Sequence, residues 1–407
     1  MKKFELHWQI LVALVLSILY GIFLTDYISY VSWMGDIFLR LLKMVIVPLI
    51  FTSIVSGVTG VGSAENLGRL GFKTFFYYIT TSTFAILTGL ILVNLIQPGV
   101  GADLGFKKSV EGIDAASRSF MDILIELIPT NIFNSMANGE MLQIIFFALL
   151  FGFFITRLNN SYKENLSNFF NAAFEVMMKI TSLVIKITPF GIFGIVAGVV
   201  AEQAGDINSL IDIVMRLGLY MLAVFLGLFI HATISLPLIL KFIARVNPLA
   251  HFKAMTTPLL TAFSTSSSSA TLPLTMDAVE NNDGVSNKIT SFVLPLGATV
   301  NMDGTALYEC VAAMFIAQAY GVELGFLQQA IVVVTALLAS IGAAGIPMAG
   351  LVMITIILTA VGLPLEGVGL ILAVDRILDM CRTTVNVWSD SCGAVTIAKT
   401  EGETLKV

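Results

Sequence analysis

Five polar side chains between Asp375 and Asp390 have the types and the spacing of a charge-binding site. They lie in the stretch VDRILDMCRTTVNVWSDSCG (374–393). An α-helix advances about 100° per residue, so with Asp375 as zero Asp379 falls at about 40°, Arg382 at about −20°, Asn386 at about 20° and Asp390 at about 60°. All five share a stripe roughly 80° wide, while Ile377, Leu378 and Val385 point elsewhere. A guanidinium is suited to bidentate capture of a carboxylate. Asp379, about 4.5 Å away from Arg382 along the helix axis, can receive an ammonium. Carboxylate and amide oxygens such as those of Asp390 and Asn386 suit hard cations like Na⁺. The pattern therefore fits a compact zwitterion with an extra carboxylate. Two plainer readings compete with it: the wet face of a helix outside any membrane, and a structural ion-pair seam.

The surrounding chain decides between them. Of 407 residues, 57% are hydrophobic and 12% charged, and the mean hydropathy is +0.91. A soluble domain runs at about 45–50% apolar and about 25% charged. The length accommodates roughly 8–12 crossing or re-entrant segments of about 20 residues. These numbers exclude disorder, and a net charge of −5 argues against a nucleic-acid partner. Cys310, Cys381 and Cys392 make no zinc spacing and read as reduced thiols in apolar sequence. The start, MKKFELHWQILVALVLSILYGIFLT, has too long an apolar run for a signal peptide and no small-residue cleavage site, so it reads as a first transmembrane helix. Uncharged runs at 6–25, 45–64 and 74–102 can each cross the hydrocarbon. Lys2 and Lys3, then Arg69 and Lys73, place the amino terminus and the second connection in the cytoplasm.

Further on, Pro129, Asn131, Asn134 and Gly139 predict a segmented helix over 120–156. Residues 167–201 read as one tilted span and 217–240 as a clean one, with His231 a buried histidine holding one hydrogen-bond partner. Then come STSSSSATLP (264–273), GATVNMDGT (297–305) and SIGAAGIP (340–347), each interrupting an uncharged run. The order is hairpin, broken helix, hairpin, polar helix: a two-unit internal repeat with its binding site between the units. Non-helical backbone at membrane depth requires protein or a watery cavity to satisfy it. If the polar helix crosses the bilayer, each charge costs about 2.5–3.5 kcal/mol at the centre, about 10 kcal/mol or more for Asp375, Arg376, Asp379, Arg382 and Asp390 unpaired. The nearest spans add only Asp303 and Glu309, which are acidic. Cations are the missing partners, and the functional reading prevails. Ser266–Ser269 offer hydroxyls for an intramembrane enzyme, but neither His231 nor His251 sits in a motif that would make it their base.

SSSSATLP, NMDGTALYE, SIGAAGIP and DRILDMCRTTVNVWSDS, in this order, resemble the glutamate transporter family, the dicarboxylate/amino acid:cation symporters. The resemblance implies an all-α polytopic membrane protein with eight transmembrane helices plus two re-entrant helical hairpins in inverted repeats. It implies a homotrimer in the cell (plasma or inner) membrane working as an elevator. Scaffold helices would occupy 1–70 and 103–205, and the moving domain 71–102 and 206–407. By motif, Arg382 would bind the substrate's side-chain carboxylate and Asp379 its α-amino group. Ser266, Ser268, Thr305, Thr383 and Asn386 would line the site, with Ile346 and Gly350 at the second hairpin and Met302 between ions and substrate. Sodium sites map onto Gly297, Asn301, Asn386 and Asp390; onto Thr299, Ser340, Ile341 and Ala343; and onto Tyr78, Thr81, Ser82, Asn301 and Asp303. Family members for neutral amino acids lack the arginine at 382 and C4-dicarboxylate members lack the aspartate at 379, so the implied cargo is aspartate or glutamate. Archaeal members have an arginine where this chain has Ser266, and Arg376 is the guanidinium that could reach the same space. Glu309 matches a glutamate linked to proton coupling in animal members, and a buried carboxyl without a basic partner favours its protonated form. The alternatives are a proton-coupled or C4-dicarboxylate carrier of the same fold and, in another class, an ion channel.

Overall fold

Hydrocarbon offers backbone N–H and C=O groups no partner, so a segment crossing it must satisfy them internally, as a helix does. The computed structural model describes residues 6–61, 68–101, 125, 128–203, 207–342 and 349–407, and among these it contains helices and no strand. The helices are α1 (Leu6–Phe23), α2 (Ser32–Val61), α3 (Gly68–Ile96), α4 (Ile132–Asn138), α5 (Met141–Thr156), α6 (Asn160–Lys186), α7 (Thr188–Gln203) and α8 (Ile207–Ile230). Then follow α9 (Pro248–Ala254), α10 (Thr256–Thr265), α11 (Ser268–Ala278), α12 (Asn287–Val300), α13 (Asp303–Ala319), α14 (Phe326–Gly342), α15 (Ala349–Ala360) and α16 (Val368–Thr400).

Three helices of the described residues are unbroken, long and apolar enough to cross a membrane: Ser32–Thr59, Arg69–Ile96 and Ile211–Ala244. The other apolar runs are short or broken, and α16, with 33 residues, carries the charges already named. The span read at 167–201 is two helices meeting at 49°. Pro189 has no N–H to give to the carbonyl four residues back, and the chain bends there. The expected span at 217–240 lies within the unbroken Ile211–Ala244, where α8 continues through π turns at His231–Ser235 and Leu240–Ala244 on either side of Pro237. The segmentation predicted before Thr156 is present: Asn131 caps α4 and Gly139 ends it at φ 72°.

Of the two expected hairpins, the one at the serine run is described in full. Ser266 (φ 50°) turns the chain between α10 and α11, and the Ser267 hydroxyl caps α11 by accepting from the Ala270 N–H. Asn301 is extended and Met302 is non-helical between α12 and α13. Helices α14 and α15 precede and follow the tip expected for the second hairpin (343–348), which lies outside the described residues. Two groups of helices emerge from the packing. One contains α1, α2, α5, α6 and α7; the other gathers α3, α8 and α14–α16 around α13. Every residue of α13 except Gln318 is buried. The groups meet where α14 and α15 lie against α2 and where α16 lies against α7.

The last residues are polar in composition, and they are tied down by contacts to the helices. Glu401 pairs with Arg69 and, at 2.6 Å, with Lys73. Glu403 accepts from the Ser286 N–H and hydroxyl. The Lys406 N–H donates to the Asp283 carbonyl at 2.8 Å. Hydrogen bonds from Lys73 and Arg69 hold the Glu401 carboxyl below its ordinary pKa. The clasp therefore contributes stability above the usual glutamate range and loses it as pH falls through the depressed value. Glu401→Gln should lower the midpoint of thermal unfolding in detergent modestly at neutral pH. The gap from wild type should close in acid.

Candidate functional site

Helix α16 places Arg382 at the centre of its polar stripe, 1% exposed by side chain. Its Nη2 donates to Asp379 Oδ1 at 2.9 Å and reaches Asp375 Oδ1 at 3.1 Å. The guanidinium lies 3.8 Å from the centroid of the Tyr308 ring, and the Tyr308 hydroxyl donates to Asp375 at 2.7 Å. Arg382 Nε and Nη1 have no hydrogen-bond partner. Leaving buried guanidinium donors unmet is costly, and here the free edge faces Gly350. A Cβ built at Gly350 would sit 2.2 Å from Nη1. Gly350→Ala should therefore displace α15 from the guanidinium and destabilise the fold by about 1–3 kcal/mol through overpacking. The thermal midpoint in detergent checks it, with a wild-type midpoint as the refuting result.

The sequence assigned Arg382 and Asp379 to opposite charges of a substrate, and the structure pairs them with each other. Arg376 approaches Asp379 as well, at 3.9 Å and 38% exposed. Thr305 and Thr383 are buried nearby. The Asn386 amide spans to α13, donating to Thr305 Oγ1 at 3.1 Å and accepting from the Gly304 N–H at 2.8 Å. Met302 is buried among Ala339 and Met353 of α14 and α15. At the first hairpin tip the Ser266 hydroxyl is buried without a partner, and Ser268 opens α11.

A second cluster gathers oxygens one to two turns further along α16. Asp303 Oδ1 accepts from Ser82 at 2.6 Å and Thr81 at 3.3 Å, while Oδ2 meets Ser389 Oγ at 2.6 Å and His231 Nε2 at 3.0 Å. Asn301 donates to Asp390 Oδ1 at 2.8 Å and to Ser389 at 3.0 Å, and its own Oδ1 is buried with no partner. Gly297 approaches so closely that an added Cβ would lie 2.6 Å from both Asp390 Oδ1 and the Tyr78 hydroxyl. Most of two mapped sodium sets is thus brought together, Gly297, Asn301 and Asp390 of one and Tyr78, Thr81, Ser82, Asn301 and Asp303 of the other, while Asn386 turns its amide to Thr305 and Gly304. Of the remaining set, Ser340 is buried on α14, which packs against α12. The side chains of Thr299 and Ile341 and all of Ala343 and Ile346 lie outside the described residues.

The charge balance explains what such a cluster wants. Among the described residues, Asp283, Asp303, Glu309, Asp375 and Asp390 are buried carboxylates, and Arg382 is the sole buried arginine or lysine. An uncompensated buried charge costs several kcal/mol. Convergent carboxylate, hydroxyl and amide oxygens, one of them orphaned, fit a small hard cation. Both carboxyl oxygens of Glu309 lack a partner. Sequence reasoning missed Tyr308 and Ser389 at the site. It read His231 as a histidine with one partner, which is what is found, but did not foresee that the partner would be Asp303.

An unbroken charged helix, flanked by helix breaks and lined with buried carboxylates inside an apolar helical protein, defines an ion-coupled membrane carrier. The model of the sodium:dicarboxylate symporter family matches residues 6–400, and the chain belongs to that family. It is 37% identical over 416 residues to the proton/glutamate-aspartate symporter of Escherichia coli (strain K12), covering 98% of this chain and 93% of that one. Identity is also 37% over 416 residues to the proton/sodium-glutamate symport protein of Geobacillus stearothermophilus, covering 99% and 96%. The excitatory amino acid transporter 3 of Homo sapiens is 37% identical over 445 residues, covering 95% of this chain and 84% of its own.

Proposed function

We propose that this protein is a secondary active symporter that carries aspartate or glutamate across the cell membrane, driven by Na⁺ and with a proton carried on Glu309. The observation behind it is the half-satisfied Arg382, whose Nε and Nη1 are free beside Asp379. The free guanidinium edge takes the side-chain carboxylate bidentately, and Asp379 exchanges its arginine partner for the α-amino group. Ser266, Ser268, Thr305, Thr383, Asn386, Met302, Ile346 and Gly350 complete the cradle. Sodium ions take the oxygens around Asp390 and Asp303, with a further site at Thr299, Ser340, Ile341 and Ala343. Cation binding offsets the carboxylate excess, so ions and amino acid are held together more readily than either alone.

In this reading the first helix group is the scaffold of a homotrimer, spanning 1–70 and 103–205. The second group, 71–102 and 206–407, moves through the membrane as an elevator, with eight spans, two re-entrant hairpins and a cytoplasmic amino terminus. The names of the relatives support an acidic amino acid as cargo and divide between proton and sodium as coupled ion. Uptake into proteoliposomes, with an imposed Na⁺ gradient and varied pH, tests the reading against aspartate, glutamate, alanine and succinate. Uptake of neither acidic amino acid would refute it; transport of succinate alone would favour the dicarboxylate reading that the family's description allows. Glu309→Gln should flatten the pH dependence of uptake while Na⁺ dependence stays, and an unchanged pH profile would remove Glu309 from the coupling.

A further inference from the structure

One turn of α16, Trp388–Ser391, is fastened in four directions. Trp388 Nε1 donates to the Ala232 carbonyl of the π turn after α8 at 3.1 Å. Ser389 bonds Asp303 at 2.6 Å and Asp390 accepts from Asn301 at 2.8 Å. Ser391 meets His251 Nε2 at 3.1 Å. The first three fastenings run to the ion cluster or the π turn beside it. The fourth leaves the cluster altogether. His251 belongs to the short helix α9, is fully buried, and stacks on Trp388 with ring centroids 4.9 Å apart. Its Nδ1 donates to Asp283 Oδ2 at 2.8 Å. Asp283 closes the π turn after the first hairpin, and its backbone carbonyl accepts from the docked tail at Lys406.

We propose that His251 is a positioning residue for the ion site: it fixes the rotation of the α16 turn that presents Asp390, using the Asp283–Ser391 bridge and the Trp388 stack as two fixed points. Neither imidazole nitrogen touches an oxygen of the ion cluster, so the effect acts through helix orientation. Successive side chains on a helix are about 100° apart, so a small roll of the turn at Ser391 also swings Asp390 and Ser389 away from Asn301 and Asp303. Three buried groups, His251, Asp283 and Ser391, are each fully enclosed, which makes the bridge stiff and its loss unrelieved by water. The arrangement has the order of a hydrolytic Ser–His–Asp set, yet all three members have zero exposure and so offer a substrate no access.

The inference rests on the Na⁺ reading of Asp390 and is tested beside it. Uptake of labelled aspartate into proteoliposomes is measured against Na⁺ concentration, and separately against aspartate at saturating Na⁺. His251→Phe keeps an aromatic ring for Trp388 and removes both hydrogen bonds; His251→Gln retains a hydrogen-bonding amide toward Ser391. His251→Phe and Ser391→Ala should raise the Na⁺ concentration for half-maximal uptake about threefold to tenfold. KM for aspartate at saturating Na⁺ should stay within twofold, and His251→Gln should recover part of the shift. If His251→Phe fails to fold, Ser391→Ala, the loss of one hydroxyl, reads the same quantity. An unshifted Na⁺ curve in the folded variants, or equal shifts in both curves, overturns the inference while Asp390→Asn still abolishes Na⁺ dependence. Na⁺ dependence surviving in Asp390→Asn would remove the ion from this turn and overturn both readings.

Discussion

Lysine in place of Arg382 is expected to reduce aspartate uptake about 10–150-fold at limiting substrate. A hydrogen bond to a charged group contributes about 1.5–3 kcal/mol, and each 1.4 kcal/mol is tenfold, so the loss of one arm of a bidentate pair has that size. An ammonium is a compact point charge with no fork, and it loses the flat face that lies 3.8 Å from the Tyr308 centroid. Lysine is a cleaner test than alanine. Alanine would leave Asp375 buried with only the Tyr308 hydroxyl, and removing one partner of a buried pair costs about 3–5 kcal/mol in stability. Uptake of labelled aspartate and alanine, at matched amounts of protein in the membrane, checks the result. Wild-type aspartate uptake by Arg382→Lys would take the guanidinium out of substrate recognition.

Asp303→Asn should have the second large effect, and on the ions. Four groups converge on the two carboxyl oxygens of Asp303, two on each. An amide keeps one oxygen and turns an NH₂ toward the groups that faced the other. The expected loss is about 3–5 kcal/mol, as for breaking a buried charged pair. A ligand that binds only the folded state stabilises it by RT ln(1 + [L]/Kd), about 2.7 kcal/mol at a hundredfold excess over Kd. The thermal midpoint of the wild type in detergent should therefore climb with added Na⁺, and that of Asp303→Asn should start lower and barely respond. A full Na⁺-dependent rise in the variant would exclude Asp303 as an ion ligand.

The elements behind these two expectations differ in how openly the sequence shows them. Charges on a helix between apolar runs are visible because they break the hydropathy, and the 100° step of a helix is enough to put Asp379, Arg382, Asn386 and Asp390 on one face. The hairpin breaks show for a similar reason: a serine run or Gly-Ala-Ala-Gly is poor helix in an otherwise apolar stretch. Contacts between distant segments leave no such mark. Nothing near His251 announces Asp283, 32 residues on, or Ser391, 140 residues on. Tyr308 looks like one more aromatic in an apolar helix until it is found against Arg382. Ser389 reads as filler beside Asp390, although its hydroxyl joins Asp303 to Asn301. The docking of the tail was hidden by composition, since Glu401, Glu403 and Lys406 look like any solvated end.

The pairing of Arg382 with Asp379 sets a standard for any cargo that the proposed function would bring to this site. Under that proposal binding is an exchange of ionic partners, and affinity is the difference between two sets of ionic contacts. A molecule with only one of the two ionic groups would break the internal pair and replace half of it. Selection for cargo that carries both charges would then come from the pair itself, ahead of any measure of shape by the walls of the pocket.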